Sequence, residues 1–299
     1  MVDGLPRGVI GACLTPFRAD GGVDEGALER ELEFMVGHCD AVSMLGAEVS
    51  EYRMLTAEDR RRVLRRGIGQ VNGRVPVLSG ASSPRLPEVA ELAALAAAAG
   101  ADYVQVLIPR RPWGPDLGAD EVLGYFTAVV EVSPLPVVVY HNPGYGSDPS
   151  PDLLVELSRL DGVVAFKESS RDMARIGRLI ADIDVAGHAG YFTTMQPLLA
   201  TLLQGGSGAM MPVPATLIGA EIVRAVRLGD LDAARRSQAL FAGFPGRWKS
   251  YGLTPVMKCA MGHLGIDLGV SVSPYAGVAE AHAAEIGEFV ADAGLPSRV

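Results

Sequence analysis

Pro136-Val137-Val138-Val139-Tyr140 and Gly162-Val163-Val164-Ala165-Phe166-Lys167 are two short apolar runs with a loop and helix start, Pro149-Ser150-Pro151, between them. Runs of this length without polar alternation suit strands covered on both faces, and a helix between two of them makes a parallel βαβ unit. One run ends in a phenol and the other in an amine. As neighbouring parallel strands they bring Tyr140 and Lys167 to one rim. Lys167 is one of three lysines in 299 residues, with Lys249 and Lys258, in a chain whose general-purpose cation is arginine. An ammonium carried into an apolar interior loses hydration, which favours the neutral amine, and a neutral amine attacks a ketone to give a Schiff base.

The pattern repeats outward in both directions. Strand-like runs occur at 9–14, 41–45, 76–78, 103–108, 136–140, 163–167, 184–186 and 209–211. Amphipathic helical patterns lie between them, such as 24–36, where Leu28, Leu32 and Met35 share a face and Asp24 is placed to cap the start. Others are 57–71 and 86–99. Beyond the eighth run come only helical patterns, at 215–228, 231–244, 255–264 and 278–293. Eight βα repeats predict the α/β class and a (β/α)8 TIM barrel over 1–225, with a C-terminal helical extension over 226–299 packed on the barrel.

Composition narrows the function classes. With 35 acidic against 26 basic residues the net charge is −9, which disfavours a nucleic-acid partner. The one basic cluster, Arg60-Arg61-Arg62 with Arg65-Arg66, reads as a solvated helix face. Apolar stretches break well before the ~18 residues of a membrane span, and Met1 to Pro6 lacks the basic and apolar regions of a signal peptide. A cytoplasmic protein with no membrane association is expected. Cys13, Cys39 and Cys259 lie far apart without CxxC spacing, and His38, His141, His188, His263 and His282 do not cluster with carboxylates, so no metal and no cofactor are expected.

In a barrel of this kind the reactive groups sit at the C-terminal ends of the strands and on the loops that follow. There the chain carries Thr15-Pro16, Ser50-Glu51 leading into Leu55-Thr56, Gly80-Ala81, Tyr140-His141-Asn142-Pro143 and Phe166-Lys167-Glu168. Gly205-Gly206-Ser207-Gly208 and Pro255-Val256-Met257-Lys258 follow. In order and spacing this set resembles the dihydrodipicolinate synthase and N-acetylneuraminate lyase family of class I aldolases, essentially from Gly8 to Leu295. The resemblance implies that Lys167 forms a Schiff base with a 2-oxo acid, usually pyruvate or a sugar acid derived from it, and that Tyr140 shuttles the proton. It further implies that the backbone of the 46–51 loop, with Ala47, Val49 and Ser50, holds the substrate carboxylate. Met210 takes the apolar contact to the pyruvate unit, and a homodimer or homotetramer is expected, for which the apolar stretch 257–264 offers a surface.

The chain also departs from the family pattern. Ala47-Glu48-Val49-Ser50-Glu51 stands where a Gly-Thr-Thr-Gly-Glu loop is usual, so both relay and carboxylate-binding hydroxyls are missing. Glu48 either replaces the relay as a catalytic carboxylate or pairs with a cation. Pro109-Arg110-Arg111-Pro112-Trp113 stands where a second relay tyrosine is usual. Arg110 and Arg111 are candidates to bind a second carboxylate of a larger substrate, or to neutralise Glu48. Tyr145 replaces the arginine of the synthases, which points away from dihydrodipicolinate synthase activity itself. Tyr191 is expected to shape the pocket floor with Met210, and His141 to pack. The expected function is a Schiff-base lyase that makes or breaks the C–C bond beside the iminium. A dehydratase of a sugar-acid-like 2-oxo acid and a catalytically degenerate 2-oxo-acid binder are the alternatives.

Overall fold

A computed structural model of the chain describes residues 5–272 and 274–295. Met1 to Gly4, read above for a leader, and 296–299 of the expected extension lie outside the described residues. Eight parallel strands close into one barrel in sequence order: β1 (Gly8–Ala12), β2 (Ala41–Met44), β3 (Val77–Gly80), β4 (Tyr103–Leu107), β5 (Val137–His141), β6 (Val163–Glu168), β7 (Gly190–Thr193) and β8 (Gly208–Pro212). Each is followed by a helix: α1 (Glu25–Val36), α2 (Ala57–Val71), α3 (Leu86–Ala99), α4 (Ala119–Val132), α5 (Pro151–Leu157), α6 (Met173–Leu179), α7 (Leu198–Leu203) and α8 (Ala215–Arg227). The protein is therefore a TIM barrel.

Local chemistry sets these elements. Asp24 caps α1 by accepting the Ala27 N–H at 2.9 Å, and Leu28, Leu32 and Met35 are fully buried. Thr56 caps α2 through the Asp59 N–H at 3.1 Å. Along β5 and β6 the side chains alternate. Val138 and Ala165 join Ile10, Leu78, Phe192 and Met210 in the barrel interior, while Val139 and Phe166 face the helices. Burying a side chain the size of Phe166 contributes about 2–3 kcal/mol.

One expected strand is displaced. Residues 184–186 end a π-helical turn, Ile180–Val185, and the seventh strand is β7 instead. The Asp184 carboxylate explains the shift: it accepts the Tyr191 N–H at 2.9 Å and the Arg7 guanidinium at 3.0 Å, tying the foot of β7 from outside the sheet.

The extension follows α8, whose end at Arg227 puts the expected 225/226 division inside a helix. It comprises α9 (Leu231–Leu240), α10 (Leu253–His263) and α11 (Glu280–Asp292). Phe244 stacks on Phe289 at 4.9 Å between ring centroids. The stretch 257–264, expected to offer an apolar surface, does not: Met257, Ala260, Met261 and Leu264 are all fully buried within the single chain. Among the described residues, no helix is long and apolar enough to cross a membrane.

Candidate active site

Tyr140 and Lys167 are direct register partners on β5 and β6, at the C-terminal rim of the barrel. Both line a cavity of about 400 Å³ that opens there. The Lys167 amine is pulled down to about 7, chiefly because burial strips its water, with Glu168 opposing and Arg171 assisting. Its Nζ donates to Ser169 Oγ and sits 4.6 Å from the centre of the Tyr140 ring. Near neutral pH a substantial fraction of this amine is uncharged and nucleophilic.

Burial pushes the Tyr140 phenol up to about 12, although hydrogen bonds from Asn142 and Ser169 act the other way. Asn142 Nδ2 donates to the phenol oxygen at 2.8 Å. Tyr140 is thus a protonated phenol at neutral pH, able to donate a proton and take it back. Ser169 touches both groups, so a continuous hydrogen-bonded path runs from Asn142 through Tyr140 and Ser169 to Lys167.

The loop after β2 forms the facing wall, with Ala47, Glu48 and Val49 lining the cavity. It is bracketed by two left-handed residues, Leu45 (φ 58°) and Glu51 (φ 52°), conformations that non-glycine residues adopt at a cost. Gln105 of β4 holds the loop, accepting from Ser43 Oγ at 3.1 Å and donating to the Gly46 carbonyl at 2.8 Å. At position 80 only glycine fits, because a Cβ there would lie 1.8 Å from the Leu45 carbonyl oxygen.

Glu48 is held by Arg53, which reaches both carboxylate oxygens at 3.1 and 3.2 Å, and by the Tyr52 hydroxyl at 3.1 Å. The geometry matches the cation-paired alternative, with Arg53 rather than Arg110 or Arg111 as partner. Arg110 and Arg111 are turned away from the cavity. Arg110 lies 3.6 Å from Asp116, and Arg111 donates to both Glu121 oxygens at 2.8 and 2.9 Å, so carboxylates close by in sequence capture both guanidiniums.

Ser50 also stays out of the cavity. It is buried, with its hydroxyl donating to the Ala47 carbonyl at 2.6 Å and its carbonyl accepting from Thr15, so it braces the loop. Nor does Tyr191 reach the pocket floor. It faces outward from β7 and donates to Glu168 Oε2 at 2.9 Å. Glu168 Oε1 meets His141 Nδ1 at 2.7 Å and accepts from Arg175 Nε at 3.3 Å. Burial works against ionisation of Glu168, but His141, Tyr191 and Arg175 outweigh it and hold the carboxyl below its ordinary range. Met210 lines the cavity from β8, and Tyr145 stands half-exposed at its edge.

Several lining residues were given no role from the sequence, although Ser169 falls in the rim stretch 167–170. Ser169 and Arg171 follow Lys167 at two and four positions, a spacing that could have flagged them. Leu253 and Thr254 come from the extension, and Thr254 Oγ1 donates to the Val49 carbonyl at 3.2 Å. Nothing local in the sequence marks that contact. Among the described residues, no group of three or more His, Cys, Asp or Glu side chains is arranged to hold a metal ion.

This arrangement has relatives. A model of the Dihydrodipicolinate synthetase family matches residues 5–293. A 4-hydroxy-tetrahydrodipicolinate synthase of Methanothermobacter thermautotrophicus is 28% identical, over 84% of this chain and 86% of that one. Another, of Phenylobacterium zucineum, is 30% identical over 99% and 100%. Among solved structures, YagE, a prophage protein of E. coli K12 belonging to the dihydrodipicolinic acid synthase family and crystallised in complex with pyruvate, superposes with a TM-score of 0.88. It is 25% identical, and the match covers 97% of this chain and 99% of that one. Members of the matched family are lyases and aldolases. With a match spanning nearly the whole barrel and its extension, the chain belongs to the dihydrodipicolinate synthetase family.

Proposed function

We propose that the protein is a class I lyase that forms a Schiff base between Lys167 and a pyruvate-type 2-oxo acid and makes or breaks the adjacent C–C bond. The observation that carries this reading is the Lys167 amine, buried at the barrel mouth with its affinity for a proton lowered to about 7, in register with Tyr140. The neutral amine adds to the C2 carbonyl, and loss of water leaves an iminium. Electrons of the breaking C–C bond flow into that iminium to give an enamine, which is reprotonated on release. Tyr140 handles the proton, with Ser169 as the hydroxyl that the threonine-free 46–51 loop lacks. Ala47 and Val49 offer backbone to the substrate carboxylate, and Met210 gives apolar contact to its C3 side.

Sodium borohydride added with pyruvate is expected to fix a reduced adduct on Lys167, read by mass spectrometry of the digested protein. Absence of an adduct, or an unchanged adduct in Lys167→Ala, overturns the reading. Product analysis then separates C–C cleavage from expulsion of a hydroxyl, which is the dehydratase outcome of the same iminium. Because family members are oligomeric as a rule, we expect a homodimer or homotetramer, and a monomer mass in sedimentation equilibrium would reject it.

A further inference from the structure

The cavity has two cationic side chains on its wall, Lys167 and Arg171. Their situations differ. Lys167 is buried, and burial lowers its affinity for a proton, whereas Arg171 is an exposed guanidinium, a permanent cation. Four other arginines around the mouth have a carboxylate: Arg53 has Glu48, Arg110 has Asp116, Arg111 has Glu121 and Arg175 has Glu168. Arg171 has none among the described residues. Its Nε is held at 3.3 Å by the amide oxygen of Gln196, which also accepts from Thr194 Oγ1 at 3.3 Å.

A neutral carbonyl orients the fork without cancelling its charge. On the cavity wall it leaves a guanidinium without a carboxylate beside the buried amine. Thr194 also lines the cavity, so it borders the same space as Arg171 on the β6 and β7 side. The opposite wall, where Glu48 and Arg53 neutralise each other, supplies no free charge.

We propose that Arg171, oriented by Gln196 and assisted by Thr194, binds a carboxylate at the far end of the substrate, making the substrate class a 2-oxo acid with a second carboxylate. The role that Arg110 and Arg111 were expected to fill thus passes to the loop after β6. One guanidinium compensates one charge, which matches a carboxylate, and its planar fork can meet both carboxylate oxygens. The assignment rests on the Lys167 reading for the near end of the substrate. It makes Arg171 a specificity-determining residue rather than part of the bond-breaking machinery.

The test compares 2-oxoglutarate, charged at its far end, with 2-oxohexanoate, which is uncharged there. Calorimetric affinities are measured for the wild-type protein, Arg171→Gln and Arg171→Lys. The wild-type protein is expected to favour 2-oxoglutarate by roughly 10-fold or more, as a charge-assisted hydrogen bond gives, with the preference shrinking as salt is raised. Arg171→Gln should erase it and Arg171→Lys restore part of it. Equal affinities in the wild-type protein, or a preference surviving in Arg171→Gln, overturn the assignment. Borohydride trapping of pyruvate by the wild-type protein reads Lys167 apart from the far-end carboxylate, and its failure there strikes the Schiff-base reading, not the anion preference.

Discussion

At the scale of single residues, Lys167 is a costly side chain whose cost depends on pH. Its folded proton affinity lies near 7 against an ordinary value of 10.5, so between those limits the unfolded chain binds more protons than the native one. Stability therefore rises with pH across that window, and the full penalty is present below it. Lys167→Met is expected to stabilise the protein by roughly 2–4 kcal/mol at pH 6, with the gain fading as pH approaches 10.5. Thermal melts of both proteins from pH 6 to 10 check this, and a gain independent of pH would contradict it. The same protonation governs reactivity: the rate of borohydride-trapped adduct formation with pyruvate should climb through pH 7 and level off above it. Lys167 and Tyr140 were legible in the sequence because a strand places its last side chains by simple alternation. Arg110, Arg111 and Arg171 were not. Which of three arginines keeps its charge for a ligand depends on where Asp116, Glu121 and Gln196 fall in space, and residue type carries no trace of that.

At the scale of elements, the β2 loop is held by the extension as well as by the barrel. Lys258 of α10 is buried, lies 2.7 Å from Glu51 at the end of that loop, donates to the Val270 carbonyl at 3.2 Å and sits 4.8 Å from the centre of the Phe17 ring. Removing one member of such a pair leaves an uncompensated buried charge. Lys258→Met should cost about 3–5 kcal/mol, with a large part recovered in the double variant with Glu51→Gln. Denaturant unfolding of the four proteins measures the coupling, and additive losses would deny it. On α1, Glu31 is fully buried beside the apolar face, accepting from the Leu14 N–H at 2.7 Å and from Cys13 Sγ at 3.1 Å. Burial raises its carboxyl to about 8 from 4.5, so here the native state binds the extra proton and stability falls as pH rises between those values. Glu31→Gln should remove that slope, seen as a flatter melting temperature between pH 5 and 8. Amphipathic spacing made α1, α2 and α3 legible, with α2 and α3 read to their end residues. It failed at β7, where Asp184 ties off a helical turn from a distance, and it said nothing of a glutamate inside a helix's buried face.

At the scale of the whole molecule, the division into barrel and extension is one of topology more than of stability. The described barrel closes without α9, α10 and α11, yet its site does not. Leu253 and Thr254 line the cavity, Thr254 and Lys258 brace the β2 loop at Val49 and Glu51, and Val270 N–H donates to the Phe17 carbonyl at 3.1 Å in the loop after β1. Val256, Met257, Ala260 and Met261 have no solvent exposure, so removing the extension would uncover the apolar barrel surface they cover as well as leave Glu51 without its cation. A chain ending at Gly229 is therefore expected to lose cooperative thermal unfolding, or to melt far below the intact protein, and to give no pyruvate adduct with borohydride. Circular dichroism melts and intact mass on the shortened chain measure both. A truncated barrel that melts cooperatively at the original temperature and still traps pyruvate at the original rate would show that the loop keeps its shape through Gln105, Gly80 and the β-sheet alone. The contacts at Thr254 and Lys258 would then be consequences of docking, not conditions for the site.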